Sequence, residues 1–395
     1  MKKILIFSTA YYPFVGGAEV AVKEITDRIN DIQFDMLTCR LDGQLPIFEK
    51  IGNVNVYRIS GPKLLFPFVA FFMAKKLNDK NHYNFIWSIM ASYGGFAALF
   101  FKIFHSEILF LLTLQEGDPI DYIKKKVWFV YPLFKRIFTR ADFVQAISNY
   151  LGNWAREMGF RGPLEIVPNG VDLNKFKSQI LPAGRQVSNL KNKENKILIT
   201  TSRLVKKNAV GDIIEALRYL PENVKLLVLG IGPLEKELKS QALSIGLQDR
   251  VEFLGYISHK DLPEYFRVAD IFIRPSLSEG LGSSFLEAMA AGLPVIGTPV
   301  GGIPDFLKDP SINLPALSAD QAGGRQGSGQ VPTGLFCEVN NPESIAEKVE
   351  LLLGNDELRQ KIIKNARELV IKNYDWDLIA DKMKGVFEKA GAFGV

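Results

Sequence analysis

The residues best suited to chemistry lie in one glycine-rich turn in the second half of the chain, between Pro275 and Met289. The apolar run IFIRP leads into this turn and helical periodicity follows it, so the turn joins a strand to a helix. Gly282 and Ser283 would lie at the helix start, where backbone N–H groups and the helix dipole favour a phosphate. Glu279 in the turn and Glu287 in the helix are carboxylates that could accept hydrogen bonds from sugar hydroxyls and a ribose diol, respectively.

A second interpretation of the same turn needs no ligand. Ser284 and Glu287 have the spacing of a capping box, in which both side chains satisfy N–H groups at a helix start. The capping box explains neither Glu279 nor the glycines, and both interpretations stay open at this point.

A basic loop, SRLVKKN, follows directly after the apolar run KILITT. In a parallel sheet, the carboxyl ends of the strands face the ligand crevice. Arg203 would supply a forked set of donors and Lys207 a point charge, a pair that suits a diphosphate. The alternative is a solvated basic loop, but the position after a strand favours function.

A glycine pair, Gly16 and Gly17, lies between the first apolar run and the first helical pattern. Glycine lets the backbone approach a ligand closely, and the helix start at Ala18 offers N–H groups to a phosphate. The loop lacks G-x-G-x-x-G, which counts against an NAD enzyme. An ordinary glycine turn is the alternative.

Apolar runs alternate with helical periodicity almost throughout, which is typical of βαβ units and parallel sheets. The chain has 395 residues, more than the roughly 250–300 that one core usually holds. We predict two doubly wound α/β domains, at 1–170 and 197–373, separated by turn-forming residues and a polar linker with an insertion at 171–196. The segment 374–395 is predicted to be an amphipathic helix.

Composition excludes several classes of protein. The formal charge of +5 is small and scattered, which argues against a nucleic-acid-binding face. The chain has two cysteines and three histidines, far apart in sequence, and this predicts neither a disulfide framework nor a zinc site. The few cysteines favour a reducing cytoplasm.

The E-x7-E spacing of Glu279 and Glu287, within SEGLGSSFLEAMAAGLPVIGT, resembles the retaining glycosyltransferases of family 4. The resemblance covers nearly the whole chain and includes the segments GGAE, SNYL, VPNGVD, SRLVKKN and TGLFCEV. E-x7-E alone is permissive, whereas this combination in this order is specific. It implies the GT-B fold, in which two Rossmann-like domains face a central cleft and the C-terminal helix returns to the first domain.

The resemblance places donor binding mostly in the second domain. It implies that Arg203 and Lys207 pair with the diphosphate, that Glu287 binds the ribose and that Glu279 contacts the transferred sugar. No protein-bound metal or other cofactor is expected, since Arg and Lys neutralise the diphosphate charge. The further donor-binding positions that it implies are Gly16, Gly17, Ile257, Gly280, Gly282 and Ser283.

One position departs from the family pattern. Many members have a histidine in a T-x-H segment where this chain has Gln115. A glutamine can hydrogen-bond a sugar hydroxyl but does not titrate near neutral pH. We expect Glu279, Gln115 and Asp118 to be the catalytic residues. Either Asp118 or Glu116 contributes near the acceptor, or the histidine's role is dispensable.

We therefore expect a hexosyltransferase-like enzyme of polysaccharide biosynthesis that uses a nucleotide-diphosphate sugar and a glycan or lipid-linked acceptor. Retention of configuration is expected from the resemblance. Two alternatives stay open: a sugar-nucleotide epimerase on a similar scaffold, and a non-catalytic nucleotide-sugar-binding protein, which the Gln115 substitution permits.

Two segments combine aromatic and basic residues, LLFPFVAFFMAKKL at 64–77 and a stretch at 124–140. Amphipathic helices with basic edges can lie in an anionic membrane interface. The alternative is that the aromatic rings pack between helices and sheet. The sequence thus predicts a cytoplasmic protein and leaves open peripheral contact with the inner face of the cell membrane.

Overall fold

The computed structural model describes residues 2–177, 194–309 and 331–392. The chain divides into two compact units, unit 1 (Met1–Gly170 with Trp376–Val395) and unit 2 (Val171–Asp375). Each unit contains its own sheet. Most of the insertion predicted in the linker, residues 178–193, lies outside the described residues.

Unit 1 contains an eight-stranded sheet that is parallel except at one edge. Its strands are β1 (Lys2–Phe7), β2 (Ile32–Cys39), β3 (Phe48–Ile51), β4 (Val54–Ile59), β5 (Phe85–Ile89), β6 (Leu109–Leu114), β7 (Phe143–Ala146) and β8 (Leu164–Ile166). They pair in the order β3-β4-β2-β1-β5-β6-β7-β8, and only β3 runs antiparallel to its neighbour. The helices that follow these strands are α1 (Gly17–Arg28), α2 (Phe66–Asn81), α3 (Tyr93–Phe104), α4 (Ile120–Lys126), α5 (Tyr131–Thr139) and α6 (Asn149–Glu157).

The central strands are continuous apolar runs because helices cover both faces of a parallel sheet. In β1, for example, Ile4, Leu5, Ile6 and Phe7 are all fully buried. The edge strand β3 alternates exposed and half-buried residues over four positions. Such a short strand carries little apolar periodicity, and the sequence analysis did not predict β3 or the three-residue β8.

In the part of unit 2 that the structure describes, residues 171–177, 194–309 and 331–375, the sheet has six strands, all parallel. Its strands are β9 (Lys196–Thr201), β10 (Val224–Leu229), β11 (Val251–Gly255), β12 (Ile271–Arg274), β13 (Val295–Gly297) and β14 (Leu335–Phe336), in the order β11-β10-β9-β12-β13-β14. Its helices are α7 (Leu173–Lys177), α8 (Val210–Ala216), α9 (Glu235–Ser244), α10 (Leu262–Val268), α11 (Ser283–Ala290), α12 (Pro342–Gly354) and α13 (Asp356–Asn373). The prediction of two doubly wound sheets is confirmed.

The last helix, α14 (Trp376–Ala392), belongs to unit 1 although it follows unit 2 in the chain. Phe387 is fully buried, and its ring centroid lies 5.1 Å from that of Trp87 and 5.6 Å from that of Phe85. Trp376 packs on Gly170, where an added Cβ would come within 2.7 Å of the indole ring. The return of the C-terminal helix to the first domain is thus confirmed.

Replacing Phe387 with alanine should destabilise unit 1 by about 3–5 kcal/mol, the usual cost of truncating a buried phenylalanine. All four tryptophans lie in unit 1, so tryptophan fluorescence during urea unfolding follows this unit selectively. Phe129→Ala is the matched control, because Phe129 is 66% exposed. Equal unfolding midpoints for the two variants would show that α14 does not hold unit 1 together.

Candidate functional site

The candidate donor site of unit 2 lies where the strand order of its sheet reverses. The chain begins the sheet at β9, adds β10 and β11 on one side, and then places β12 on the other side of β9. Loops that follow the two strands at such a reversal lie next to each other at the carboxyl edge. Here the N–H of Leu277, in the loop after β12, donates to the carbonyl of Lys207, in the loop after β9, at 2.7 Å.

A third loop, after β13, supports the turn that carries Glu279. The N–H of Gly302 donates to the main-chain carbonyl of Glu279 at 3.1 Å. Gly301 has φ +57°, and an added Cβ there would lie 1.8 Å from the same carbonyl oxygen. Only glycine fits this close approach, so Gly301 has a structural reason that the sequence analysis did not identify.

The Glu279 side chain is buried, with 9% of its surface exposed. Its Oε2 lies 2.6 Å from Nη2 of Arg274, and its Oε1 accepts the Gly280 N–H at 3.2 Å. Gly282 is the N-cap of α11 with φ +94°, and Ser283 is the first helical residue. The turn therefore brings a paired carboxylate and a helix start together, as the strand-turn-helix interpretation requires.

The capping-box interpretation of Ser284 and Glu287 is wrong. The helix begins at Ser283, and its N-cap, Gly282, has no side chain that could cap it. The hydroxyl of Ser284 instead accepts a hydrogen bond from Nη1 of Arg274 at 2.8 Å. Glu287 Oε1 lies 3.3 Å from Nδ1 of His259. Both side chains are thus engaged by residues distant in sequence.

The remaining predicted donor residues of unit 2 lie on the loops around this turn. Ile257 is half-buried and is two residues from His259, so the loop after β11 reaches the Glu287 side of α11. Arg203 is exposed, Lys207 is half-buried, and Gly280 is buried. Their contacts with a nucleotide stay predictions.

In unit 1, Gln115 directly follows β6 and is buried. Its Oε1 accepts a hydrogen bond from Nδ2 of Asn169 at 3.3 Å. Gln115 is therefore held by a second amide, from the VPNGVD segment, and not by a charged group in this contact. Asp118, three residues further on, is exposed.

Glu116 is the unusual group of this segment. Its Oε1 accepts the Ala91 N–H at 2.6 Å, while the buried Oε2 has no hydrogen-bond partner among the described residues. Burial raises the pKa of Glu116 to about 7, Asp118 adds a smaller effect in the same direction, and backbone hydrogen bonds oppose both. A titrating carboxyl therefore directly follows Gln115, the residue at the position where the resemblance led us to expect a histidine.

The glycine pair of unit 1 lies after β1 and is exposed. Helix α1 begins at Gly17, and the Gly16 N–H donates to Oε2 of Glu19 at 2.8 Å. A side-chain carboxylate thus already accepts one of the N–H groups near the helix start at which a phosphate was expected. The role of Gly16 and Gly17 in phosphate binding stays a prediction.

No group of three or more His, Cys, Asp or Glu side chains in residues 2–177, 194–309 and 331–392 is arranged to hold a metal ion. Within the same ranges, every helix is too short or too polar to cross a membrane.

The raised pKa of Glu116 makes the stability of unit 1 depend on pH. Between the ordinary value of 4.5 and about 7, the unfolded chain releases this proton while the folded chain keeps it. The free energy of unfolding therefore falls as pH rises through this window, by about 3 kcal/mol in total. Glu116→Gln removes the effect, so its stability relative to the parent should rise by about 2–3 kcal/mol from about pH 5 to about pH 8.

Urea unfolding followed by tryptophan fluorescence at each pH measures this difference. Glu107 is an exposed glutamate just before β6, the strand that Glu116 follows. The control variant Glu107→Gln should show the same dependence of stability on pH as the parent. A difference between Glu116→Gln and the parent that does not change with pH would contradict the assignment.

The chain is similar to known glycosyltransferases along most of its length. Residues 185–369 match the family model described as glycosyl transferases group 1, and residues 15–175 match glycosyltransferase family 4. The chain is 27% identical, over 98% of both chains, to an uncharacterised glycosyltransferase of Methanocaldococcus jannaschii. It is 28% identical, over 65% of both chains, to a GDP-mannose-dependent phosphatidylinositol monomannoside mannosyltransferase of Mycobacterium tuberculosis.

Among solved structures, the chain is similar to HepE of Anabaena in complex with UDP and glucose. The TM-score is 0.78 at 19% identity, and the match covers 98% of this chain and all of that one. At this identity the likeness concerns the fold. The two family models together match most of the chain, which therefore belongs to the group 1 glycosyltransferases of family 4.

Proposed function

We propose that unit 2 binds a nucleotide-diphosphate sugar and that the enzyme transfers this sugar with retention of configuration. The observation that carries the proposal is the turn around Glu279, which joins a buried carboxylate to the start of α11 at the reversal of the strand order. The relatives support this class of donor, since one is named for GDP-mannose and another was solved with UDP and glucose.

In this proposal, the basic residues of the site bind the diphosphate, and the two carboxylates bind the ribose and the transferred sugar. Arg203 and Lys207 neutralise the diphosphate, and they stabilise it as it leaves. Glu287 accepts hydrogen bonds from the ribose hydroxyls. Glu279 accepts hydrogen bonds from the transferred sugar, because an ionised carboxylate is only an acceptor.

Retention is proposed to follow a front-face route. A double displacement would need a carboxylate that attacks the anomeric carbon. Glu279 is paired with Arg274 at 2.6 Å, and this pairing weakens it as a nucleophile. In the front-face route, the bond to the diphosphate breaks as the acceptor oxygen bonds the same face of the anomeric carbon. The acceptor's hydroxyl proton passes to the departing phosphate oxygen.

Gln115 is proposed to bind the acceptor by hydrogen bonding. The neighbouring Glu116 carries the ionisation near pH 7 that this segment would otherwise lack. The acceptor is a glycan or a lipid-linked sugar. No metal ion or other cofactor takes part in the proposed reaction, because the basic residues supply the positive charge.

Helix α2 supports the proposal that unit 1 contacts an anionic membrane. Its first residue, Phe66, is buried, but further along it buries small residues, Ala70 and Ala74, while Phe68 is 54% and Phe72 is 70% exposed. A helix on a water-facing surface normally shows the opposite distribution. The Phe68 ring lies 5.3 Å from that of Phe100 in α3, so the apolar surface extends onto a second helix.

Basic side chains surround the exposed aromatic residues. Lys63 precedes α2, and Lys75, Lys76 and Lys80 lie along its second half, all exposed. A lysine near an anionic lipid surface contributes about 1 kcal/mol, and buried apolar side chains add to the binding. The enzyme is therefore proposed to act at the inner face of the cell membrane, where lipid-linked acceptors are found.

Substitutions in the donor site should separate nucleotide binding from turnover. Arg203→Ala and Lys207→Ala should each weaken UDP or GDP binding by about tenfold or more, since a charge-assisted hydrogen bond to phosphate contributes roughly 1.5–3 kcal/mol. Glu287→Gln should weaken nucleotide binding, whereas Glu279→Gln should lower turnover and leave nucleotide affinity nearly unchanged.

Calorimetry with UDP and GDP measures affinity, and release of nucleoside diphosphate from UDP-glucose or GDP-mannose measures turnover. Lys206→Ala, an exposed neighbour, is the matched control and should bind like the parent. Both assays are run with and without EDTA, and a loss of activity in EDTA would contradict the metal-free proposal. Equal ratios of lost turnover to lost affinity in Glu279→Gln and Glu287→Gln would contradict the division of roles.

Membrane contact is tested with the double variant Phe68→Ser/Phe72→Ser. The parent should co-sediment with vesicles that contain about 30% phosphatidylglycerol and not with phosphatidylcholine alone. The double variant should bind the anionic vesicles at least about tenfold more weakly, because it loses most of the apolar insertion. Ile371→Ser, which removes a half-exposed apolar side chain from unit 2, is the control. Unchanged vesicle binding by the double variant, or self-association of the parent that the variant abolishes, would rule out this lipid surface.

A further inference from the structure

Arg274, the last residue of β12, contacts three different elements around the candidate donor site. Its Nη2 lies 2.6 Å from Oε2 of Glu279 and donates to Oδ1 of Asn208 at 3.1 Å. Its Nη1 donates to the hydroxyl of Ser284 at 2.8 Å. One guanidinium therefore joins the turn after β12, the loop after β9 and the first turn of α11.

The contact with Asn208 extends to the predicted diphosphate residues. Nδ2 of Asn208 donates to the main-chain carbonyl of Arg203 at 2.7 Å. Asn208 is almost completely buried, so its amide has a defined orientation. Arg274 is thus connected through one side chain to the backbone that carries Arg203.

The ion pair leaves part of Glu279 available to a ligand. Arg274 Nε and Glu279 Oε2 are both buried, and neither has an aligned hydrogen-bond partner among the described residues. The 2.6 Å contact of Oε2 with Nη2 is therefore an ion pair without hydrogen-bond alignment. Oε2 is thus held by charge and shielded from solvent, while 11% of the Glu279 side chain stays exposed. A carboxylate oxygen can accept more than one hydrogen bond, so Oε1, which accepts the Gly280 N–H, can also accept one from a hydroxyl group.

We propose that Arg274 is a positioning residue for recognition of the donor sugar, acting through Glu279. It holds the carboxylate at the orientation in which its exposed part receives a hydroxyl of the transferred sugar. Through Asn208 and Ser284 it also fixes the position of Glu279 relative to the loop of Arg203 and the start of α11. The proposal rests on the proposed function, in which Glu279 contacts the sugar.

The side-chain type follows from the geometry. A guanidinium is planar and has several N–H donors, so it can serve three partners in different directions at once. A lysine ammonium at this position would keep the charge, but its single nitrogen would not reach all three partners. A methionine has a similar length and removes both the charge and the donors.

A double-mutant cycle separates action through Glu279 from a general structural effect. The proteins are the parent, Arg274→Met, Glu279→Gln and the double variant, with Arg274→Lys as a partial rescue. Turnover is the release of nucleoside diphosphate from UDP-glucose or GDP-mannose with water as acceptor, and affinity for UDP or GDP is measured by calorimetry. Unit 2 contains no tryptophan, so its unfolding cannot be followed by tryptophan fluorescence. Scanning calorimetry measures its thermal stability instead.

Arg274→Met should lower turnover by about tenfold or more, with affinity for the bare nucleotide within about threefold of the parent. The double variant should turn over within about twofold of Glu279→Gln alone, because both changes remove the same interaction. Arg274→Lys should lie between the parent and Arg274→Met. If Arg274→Met fails to fold, the other variants still test whether Arg274 acts through Glu279. The double variant leaves no carboxylate without its partner, and Arg274→Lys keeps the positive charge.

Four results would overturn the inference. Parent-like turnover of Arg274→Met would show that the arginine is not needed, and multiplied losses in the double variant would show that it acts independently of Glu279. Equal losses of turnover and nucleotide affinity in Arg274→Met would indicate a structural role only. Parent-like turnover of Glu279→Gln would instead remove the proposed role of Glu279 itself, and the inference with it.

Discussion

The ion pair between Arg274 and Glu279 is the interaction on which the geometry of unit 2 converges. Glu279 lies in a turn whose main chain is fixed by Gly301 and Gly302 and whose side chain is fixed by Arg274. A buried carboxylate is tolerated because the guanidinium compensates its charge. The same guanidinium binds the loop after β9 and the first turn of α11, so one buried charge pair connects the segment that follows β12 to a loop distant in sequence.

In unit 1, the polar side chains that directly follow β6 have no arginine partner of this kind in their hydrogen bonds. Gln115 is held by another amide, and Glu116 by a backbone N–H, with no cation in these contacts. Without a compensating positive charge, burial favours the neutral carboxyl, and the pKa of Glu116 rises to about 7. The two carboxylates therefore differ in what surrounds them: Glu279 is paired with an arginine, whereas Glu116 is held mainly by backbone groups. Electrostatic surroundings, more than residue type, determine what each carboxyl can do.

The helices of unit 1 show how the same sheet architecture serves both stability and contact with the surroundings. Helix α14 places Phe387 against Trp87 and Phe85, so the C terminus completes the core of the first unit. Helix α2 instead packs through Phe66, Ala70 and Ala74 and turns Phe68 and Phe72 outward. Small residues at the buried face allow a close approach to α3 while the large apolar side chains stay on the surface, which is the basis of the proposed membrane contact.

Much of this protein could be predicted from the sequence, because apolar periodicity and turn residues are local signals. They were sufficient for the two parallel sheets, most of their strands and the C-terminal helix, and the motif combination was sufficient for the family. The two-residue β14 and the edge strand β3 were missed, since so few residues carry no periodic pattern.

The tertiary structure decided the partners of the charged groups. Arg274 stands at the end of an ordinary apolar strand. Nothing in the adjacent sequence indicates that it donates a hydrogen bond to Ser284, which would otherwise be a capping residue, or that it pairs with Glu279. The raised pKa of Glu116 and the outward phenylalanines of α2 were equally hidden, because burial and pairing depend on segments that meet only when the sheets and helices pack.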